Sequence, residues 1–213
     1  MKTNGEDIMI LNDRQIIARI LDEGMIAPAF VTQRRTRDYV LGYGPSGTST
    51  LQVPKKIISM GVSSFGYDIQ LGEDFKIFTS AHCGTVDPKN LNESCFVSMH
   101  VAWPSKLLIP PNGFVLGHSA ERWKIPRDIS AIVLGKSTYA RCGLIVNCTP
   151  LEPEWEGTIT LELTNSTPLP LVVYPGEGIA QALFYQNPDG CEVSYADRAG
   201  KYQGQTGLTL PKV

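Results

Sequence analysis

Turn residues cut this chain into segments too short for a fold built of long helices. Its 213 residues include 20 glycines and 15 prolines. They fall outside any low-complexity tract, and the apolar runs between them are brief, the pattern of many short strands. The clearest run is TITLELTN, Thr158 to Asn165. Successive strand side chains point to opposite faces, so Ile159, Leu161 and Leu163 share one face and Thr158, Thr160, Glu162 and Thr164 the other. In GYDIQL, Tyr67, Ile69 and Leu71 alternate in the same way, and FKIF follows at 75–78. LLIPPNGFVLGH reads as two strands about a Pro-Pro-Asn-Gly turn, and PLVVYPGEGIAQALFY as two more about Pro175 to Gly178. AIVLG (131–135) and GLIVN (143–147) are short apolar runs, which predicts strands buried on both faces.

One helix is predicted near the start. Asn12 and Gln15 have capping-box spacing, Ile16, Ile17, Ile20 and Leu21 mark one apolar stripe, and Gly24 ends it. Residues 32–56 hold Arg34, Arg35, Arg37 and the loose GYGPSGTST run. They read as an exposed loop insertion whose arginines form a solvated cluster. The Gly/Gln-rich tail reads as a mobile C-terminal arm over 197–213. These elements predict a single, mainly β domain over residues 1–213, a distorted β-barrel or jelly-roll-like fold with one N-terminal helix.

Charge and cysteine usage narrow the function. Lys and Arg number 19 against 21 Asp and Glu, a net charge of −2, which is not the clustered basic surface of a dedicated nucleic-acid binder. No apolar run approaches a membrane span, and the polar, acidic start MKTNGEDIM lacks a secretory apolar core. A cytoplasmic globular protein is expected. The five cysteines, Cys83, Cys95, Cys142, Cys148 and Cys191, are odd in number, which argues against a disulfide framework. No two have C-x-x-C spacing, and His82, His100 and His118 are isolated. His82 and Cys83 are neighbours, but on a strand they would face opposite ways. Small buried thiols and core or surface imidazoles are expected, with no protein-bound metal.

Two constellations can carry chemistry. Gly135-Lys136-Ser137-Thr138-Tyr139-Ala140-Arg141 follows the AIVLG strand and brings cationic donors, hydroxyls and free backbone N–H groups to one turn. That combination suits a phosphate chain, although the Gly-x4-Gly-Lys frame of a Walker loop is missing. The other is Glu162, on the polar face of its strand. If that face lines a pocket, burial raises its pKa and makes it a proton shuttle.

The segment GKSTYARCGLIVNCTPLEPEWEGTITLELTNSTPLP, Gly135 to Pro170, resembles the dCTP deaminases, members of the dUTPase-related trimeric β-fold superfamily. The likeness continues through GIAQALFY (178–185), SYADRAGKYQGQTGLTLPK (194–212), VSSFGYDI (62–69), FKIF (75–78), VDPKN (86–90) and IPPN (109–112). It implies a dUTPase-type fold and the hydrolytic deamination of dCTP to dUTP and ammonia, feeding dUMP and dTTP synthesis. By resemblance Glu162 is the catalytic acid/base, and Ser137 and Arg141 are needed for activity. Lys136, Ser137, Thr138, Tyr139, Ala140 and Arg141 would hold the triphosphate and order the reactive water. Glu152 would contact the sugar, and the backbone of Thr160 and Leu161 would read the cytosine edge. Gln181, Tyr195, Lys201 and Gln205 would contact the nucleotide, several of them from the arm.

The resemblance also implies Mg²⁺ carried on the substrate triphosphate, and a homotrimer with sites between subunits. No nucleic-acid polymer or membrane partner is implied. The His/Cys ligands of zinc deaminases are absent, so water activation falls to a carboxylate. Two rival readings stay open: a bifunctional enzyme that also cleaves the triphosphate to give dUMP and pyrophosphate, and a silent nucleotide-binding module. A plain dUTPase fits less well, because Glu162 and the KSTYAR form match the deaminases better. Three features depart from the family pattern. Gln70 replaces a common Arg, Gly117-His118 replaces Ala-Arg, and the 38–56 stretch is longer than usual.

Overall fold

The structure, a computed structural model, describes residues 8–41, 51–81 and 83–212. The N-terminal residues 1–7, the GYGPSGTST run and His82 lie outside the described residues.

The helix forms as α1 (Asp13–Glu23). The Asn12 side chain accepts from the Gln15 N–H at 3.1 Å, and the Gln15 side chain accepts from the Asn12 N–H at 3.0 Å, closing the capping box. Gly24 stops the helix at φ 68°, a left-handed conformation that favours glycine. Ile16 and Ile20 are buried, but Leu21 is 69% exposed and leaves the expected stripe. It lies about 140° around the helix from Ile16, beyond the buried face.

Two six-stranded sheets carry the fold. In the first, β1 (Met9–Ile10), β14 (Gly178–Gln186), β5 (Gly66–Gln70), β4 (Leu51–Ser63) and β3 (Arg34–Leu41) follow one another, and β10 (Ile129–Gly135) also pairs with β14. In the second the order is β11 (Leu144–Asn147), β12 (Glu156–Asn165), β9 (Phe114–Lys124), β6 (Asp74–Phe78) and β7 (Phe96–His100), with β2 (Ile26–Ala27) on β9. A two-stranded sheet joins β8 (Leu107–Ile109) to β13 (Leu171–Val173), and a single helical turn, α2 (Ser137–Ala140), follows β10. The architecture is mainly β, as expected, with open sheets rather than a closed barrel.

Aromatic rings tie the sheets together. Trp123 of β9 meets Tyr67 of β5 edge-on at 5.6 Å and stacks on Phe184 of β14 at 6.2 Å. Each such ring buries about 150–250 Å², so this trio is a large share of the shared core. β12 alternates as predicted, with Ile159, Leu161 and Leu163 buried. On β10 and β11 only one face is covered: Ala131, Val133 and Leu144 are buried, whereas Ile132, Leu134 and Ile145 are exposed. The expected burial on both faces is not met, because among the described residues no element covers the outer face.

Three expectations need correction. Beyond Gln33 the described parts of the 32–56 insertion are not loop; they form the paired strands β3 and β4, with Arg37 opposite Lys55 and Asp38 opposite Pro54. Pro54 is tolerated because β4 meets β5 only at Gly61–Ser63, beyond it. The arginines lie on β3, at the edge of the sheet, where charge discourages edge-to-edge pairing. Cys83 and Cys95 form a disulfide, against the expectation of free thiols. The ladder that sets Phe78 opposite Phe96 returns the chain on itself, leaving the two Cα atoms 5.1 Å apart. The remaining thiols are also less buried than expected: Cys142 is exposed, and Cys148 and Cys191 are half-buried.

The unusual positions are accommodated locally. His118 lays its ring over Gly72, where a Cβ would come within 2.3 Å of it. Gln70 donates to the Gly176 carbonyl at 3.2 Å, which Arg37 also reaches at 3.1 Å. No described helix is long and apolar enough to cross a membrane.

Candidate active site

β12 turns Thr160 and Glu162 away from the core because Ile159, Leu161 and Leu163 fill the other side. The outward face lines a cavity of about 730 Å³, a size suited to a small ligand. Phe78, Phe96 and Phe114 build part of the wall, with Phe78 edge-on to Phe96 at 4.2 Å and to Phe114 at 5.1 Å. Val86, Pro88 and Leu91, from the segment closed by the Cys83–Cys95 bond, extend it.

The C-terminal arm supplies another wall. Trp155 Nε1 donates to the Tyr202 carbonyl at 3.1 Å, and the Tyr202 N–H donates to the Tyr195 hydroxyl at 2.9 Å. Beside Gly157 the arm runs parallel to β12. There Thr158 N donates to the Gln205 carbonyl at 3.0 Å and Gln205 Nε2 donates back to the Thr158 carbonyl at 2.6 Å. A Cβ on Gly157 would meet that same carbonyl at 2.9 Å, so glycine allows the close approach. Arg127 clasps the root of the arm, bonding Asp197 at 2.8 Å and Glu154 at 2.6 Å.

Glu162 is the chemically distinctive group. Its Oε2 is buried and has no hydrogen-bond partner among the described residues. Burial pushes its pKa up to about 7. The neighbouring Cys148 thiol is pushed up to about 12, mainly by burial and further by the charge on Glu162. A carboxyl poised near neutrality, with a free oxygen in a cavity, can take and return protons.

Six of the residues expected from the sequence share this cavity: Glu152, Thr160, Glu162, Tyr195, Lys201 and Gln205. Glu152 is paired with Arg198. Leu161 sends its side chain into the core, leaving only its backbone. Lys136, Ser137, Thr138, Tyr139, Ala140, Arg141 and Gln181 do not line the cavity. Gln181 lies on β14, and the other six form the turn that joins β10 to β11. Lys136 Nζ pairs with Asp68 at 2.7 Å, and Gln181, opposite Asp68 in the β5–β14 ladder, donates to Ser63 Oγ at 2.8 Å. Tyr139 is buried and accepts from Tyr174 N at 3.0 Å, while Ser137, Thr138 and Arg141 are exposed. The residues expected from the sequence therefore fall into two groups, one lining the cavity and one outside it.

Sequence reasoning assigned no role to Asp68, Trp155 or the phenylalanine wall. For Asp68 the available signal was an acid inside the otherwise apolar GYDI strand, where an unpaired charge is costly.

Residues 49–187 match the family of dCTP deaminase-like domains. A dCTP deaminase of Azotobacter vinelandii is 49% identical over 203 residues, covering 95% of this chain and 98% of that one. A dCTP deaminase of Polaromonas sp. is 58% identical over 158 residues, 74% of this chain and 82% of that one. Among solved structures, 2'-deoxycytidine 5'-triphosphate deaminase from Agrobacterium tumefaciens has a TM-score of 0.56 at 15% identity, covering 85% of this chain but only 49% of that one. That last likeness is one of fold alone. With the family match spanning most of its strands and a relative aligned over nearly its whole length, this chain belongs to the dCTP deaminase family.

Proposed function

We propose that the chain deaminates dCTP to dUTP and ammonia, in a site to which one copy brings Glu162 and another brings the Lys136–Arg141 turn. The observation that carries this reading is Glu162 Oε2, buried and unpartnered in a cavity that also holds Glu152, Thr160, Tyr195, Lys201 and Gln205. Deamination needs water to attack C4 of the cytosine, a tetrahedral intermediate, and protons for the ring nitrogen and the leaving ammonia. A carboxyl with pKa near 7 takes one proton from the attacking water and passes it to the ring nitrogen. It then takes the second from the hydroxyl of the tetrahedral intermediate and passes it to the amine, which leaves as ammonia as the carbonyl forms. Such transfer contributes about 10²–10⁴-fold. Orientation supplies much of the remainder, with Ser137 aiming the water and Arg141 organising charge. Glu152 contacts the sugar, the Thr160–Leu161 backbone reads the base, and the arm closes on the phosphates through Lys201 and Gln205.

Two features support a homotrimer with shared sites. The turn lies outside the Glu162 cavity of its own chain. The exposed Ile132, Leu134 and Ile145 beside it form an apolar face suited to a second copy. Mg²⁺ would arrive with the triphosphate and would offset its negative charge. Among the described residues no group of three His, Cys, Asp or Glu side chains is placed to hold an ion. A soluble nucleotide substrate supports a cytoplasmic location.

The test is to supply dCTP and Mg²⁺ and to assay ammonia and pyrophosphate separately. Ammonia without pyrophosphate is expected, and Glu162→Gln should bind dCTP yet release none. Equal pyrophosphate would extend the activity to triphosphate cleavage. Pyrophosphate from dUTP with dCTP untouched, or dCTP binding without turnover, would overturn the assignment.

A further inference from the structure

We propose that Asp68 is a positioning residue of the nucleotide site, holding Lys136 and through it the 136–141 turn in the orientation that receives the triphosphate. The proposal rests on the reading of that turn as the triphosphate holder.

Asp68 is 2% exposed, and the Lys136 side chain is 12% exposed. A lysine that served only to project a charge would extend into solvent. This one folds back into the protein. Three donors converge on a single oxygen, Asp68 Oδ2: Lys136 Nζ at 2.7 Å, Gln33 Nε2 at 2.9 Å and Ser59 Oγ at 3.0 Å. Lys136 Nζ also donates to Ser59 Oγ at 3.1 Å. The backbone at the same residue is held as well, with Lys136 N donating to the Ile179 carbonyl at 3.3 Å and the Lys136 carbonyl accepting from Ala140 N at 2.9 Å. Lys136 has no side-chain capping role for α2, so its side chain is committed to Asp68 and Ser59.

The consequence is mechanical. The head of the turn is pinned by side chain and backbone together, while the exposed Ser137, Thr138 and Arg141 project from a fixed base. A buried ion pair contributes little net stability, because desolvation offsets the attraction. Its value is one geometry, held by a short bond that only the charged pair makes. Gln33 adds a link to the segment leading into β3. Its Oε1 accepts from Arg35 Nε at 3.1 Å and Nη2 at 2.9 Å, which turns its NH₂ toward Asp68.

The experiment compares Asp68→Asn, Asp68→Glu, Lys136→Ala and Gln33→Ala in the full-length protein. Steady-state kinetics with dCTP and Mg²⁺ are measured alongside inhibition by dCMP, melting temperature and oligomeric state. Asp68→Asn should raise KM for dCTP about tenfold or more while kcat changes less than about threefold. Inhibition by dCMP, which lacks the outer phosphates, should change far less. Asp68→Glu should recover part of the KM, and Gln33→Ala should raise it about twofold to threefold.

A wild-type KM in Asp68→Asn, with a raised KM in Lys136→Ala, would overturn this proposal alone. An unchanged KM in Lys136→Ala would instead remove the turn from triphosphate binding and take the functional reading with it. Should Asp68→Asn not fold, an unchanged KM in both Asp68→Glu and Gln33→Ala would decide against positioning.

Discussion

Glu162 stands directly opposite Leu116 across the β9–β12 ladder, so the nearest side chain on that strand offers the carboxyl no hydrogen bond. Desolvation by such neighbours raises its pKa to about 7. The ionised form accepts the proton from water, so protonation below pH 7 removes the base. kcat/KM for dCTP should therefore rise with pH along a limb centred near 7 and level off above it. Leu116→Ser would admit water beside the carboxyl and move the limb toward lower pH. A profile that is flat from pH 5.5 to 8 in the wild type would remove Glu162 from the proton-transfer step.

A second buried carboxyl makes stability depend on pH in a predictable direction. Glu121 is 1% exposed; the Tyr67 hydroxyl donates to it at 3.2 Å and Gln70 N at 3.1 Å. Burial nevertheless pushes its pKa to about 8. The unfolded chain has the ordinary value of about 4.5. Between those values the folded state holds a proton that the unfolded state has lost, so stability falls as pH rises through the window and levels off above 8. Glu121→Gln removes that titration. From pH 5 to 9 the wild type should lose on the order of 2–4 kcal/mol relative to the variant in urea unfolding. Parallel pH dependences would show that Glu121 is ionised in the folded protein throughout.

These carboxyls also show what local pattern conveys and what it leaves out. The α1 cap and the alternation of Ile159, Leu161 and Leu163 are set by residues within a few positions of each other, so both were legible. Glu162 was legible as a candidate, but its burial depends on Leu116 and on a distant arm. The β3–β4 pair was not legible, because Arg34, Arg35, Arg37, Lys55, Lys56 and Pro54 hide any apolar alternation. AIVLG was read as buried on both faces, but Ile132 and Leu134 are exposed, because an unbroken apolar run carries no alternation to show which face is covered. Cys83 and Cys95 meet only because Phe78 and Phe96 pair, and Asp68 meets Lys136 only across strands far apart in the chain.

The cysteines give a direct chemical count. Denatured without reductant, the protein should titrate three thiols, from Cys142, Cys148 and Cys191, and five after reduction. In the native state at pH 8, alkylation should reach the exposed Cys142 and spare Cys148, whose thiol is pushed up to about 12 and carries little thiolate. Peptide mapping separates the sites. Five thiols without reductant would refute the Cys83–Cys95 bond, and early loss of Cys148 would contradict the burial of the Glu162 cavity.

The proposed sharing of the site between copies makes the strongest prediction about assembly. Glu162→Gln lacks the proton carrier but keeps an intact turn, and Arg141→Ala keeps Glu162 but damages the turn. Each variant alone should be inactive. In a shared site, a copy of one variant can supply what its neighbour lacks. Equal amounts, unfolded together and refolded into random trimers, put a sound Glu162 beside a sound Arg141 at about one site in four. Ammonia release should then recover to roughly a quarter of the wild-type rate, as heterologous assembly requires. Leu134→Glu places a charge in the exposed apolar face of β10. It should give monomers by sedimentation and abolish that recovery. Mixed trimers with no recovered activity would mean that each chain completes its own site, with the turn moving to Glu162 rather than being lent by a neighbour.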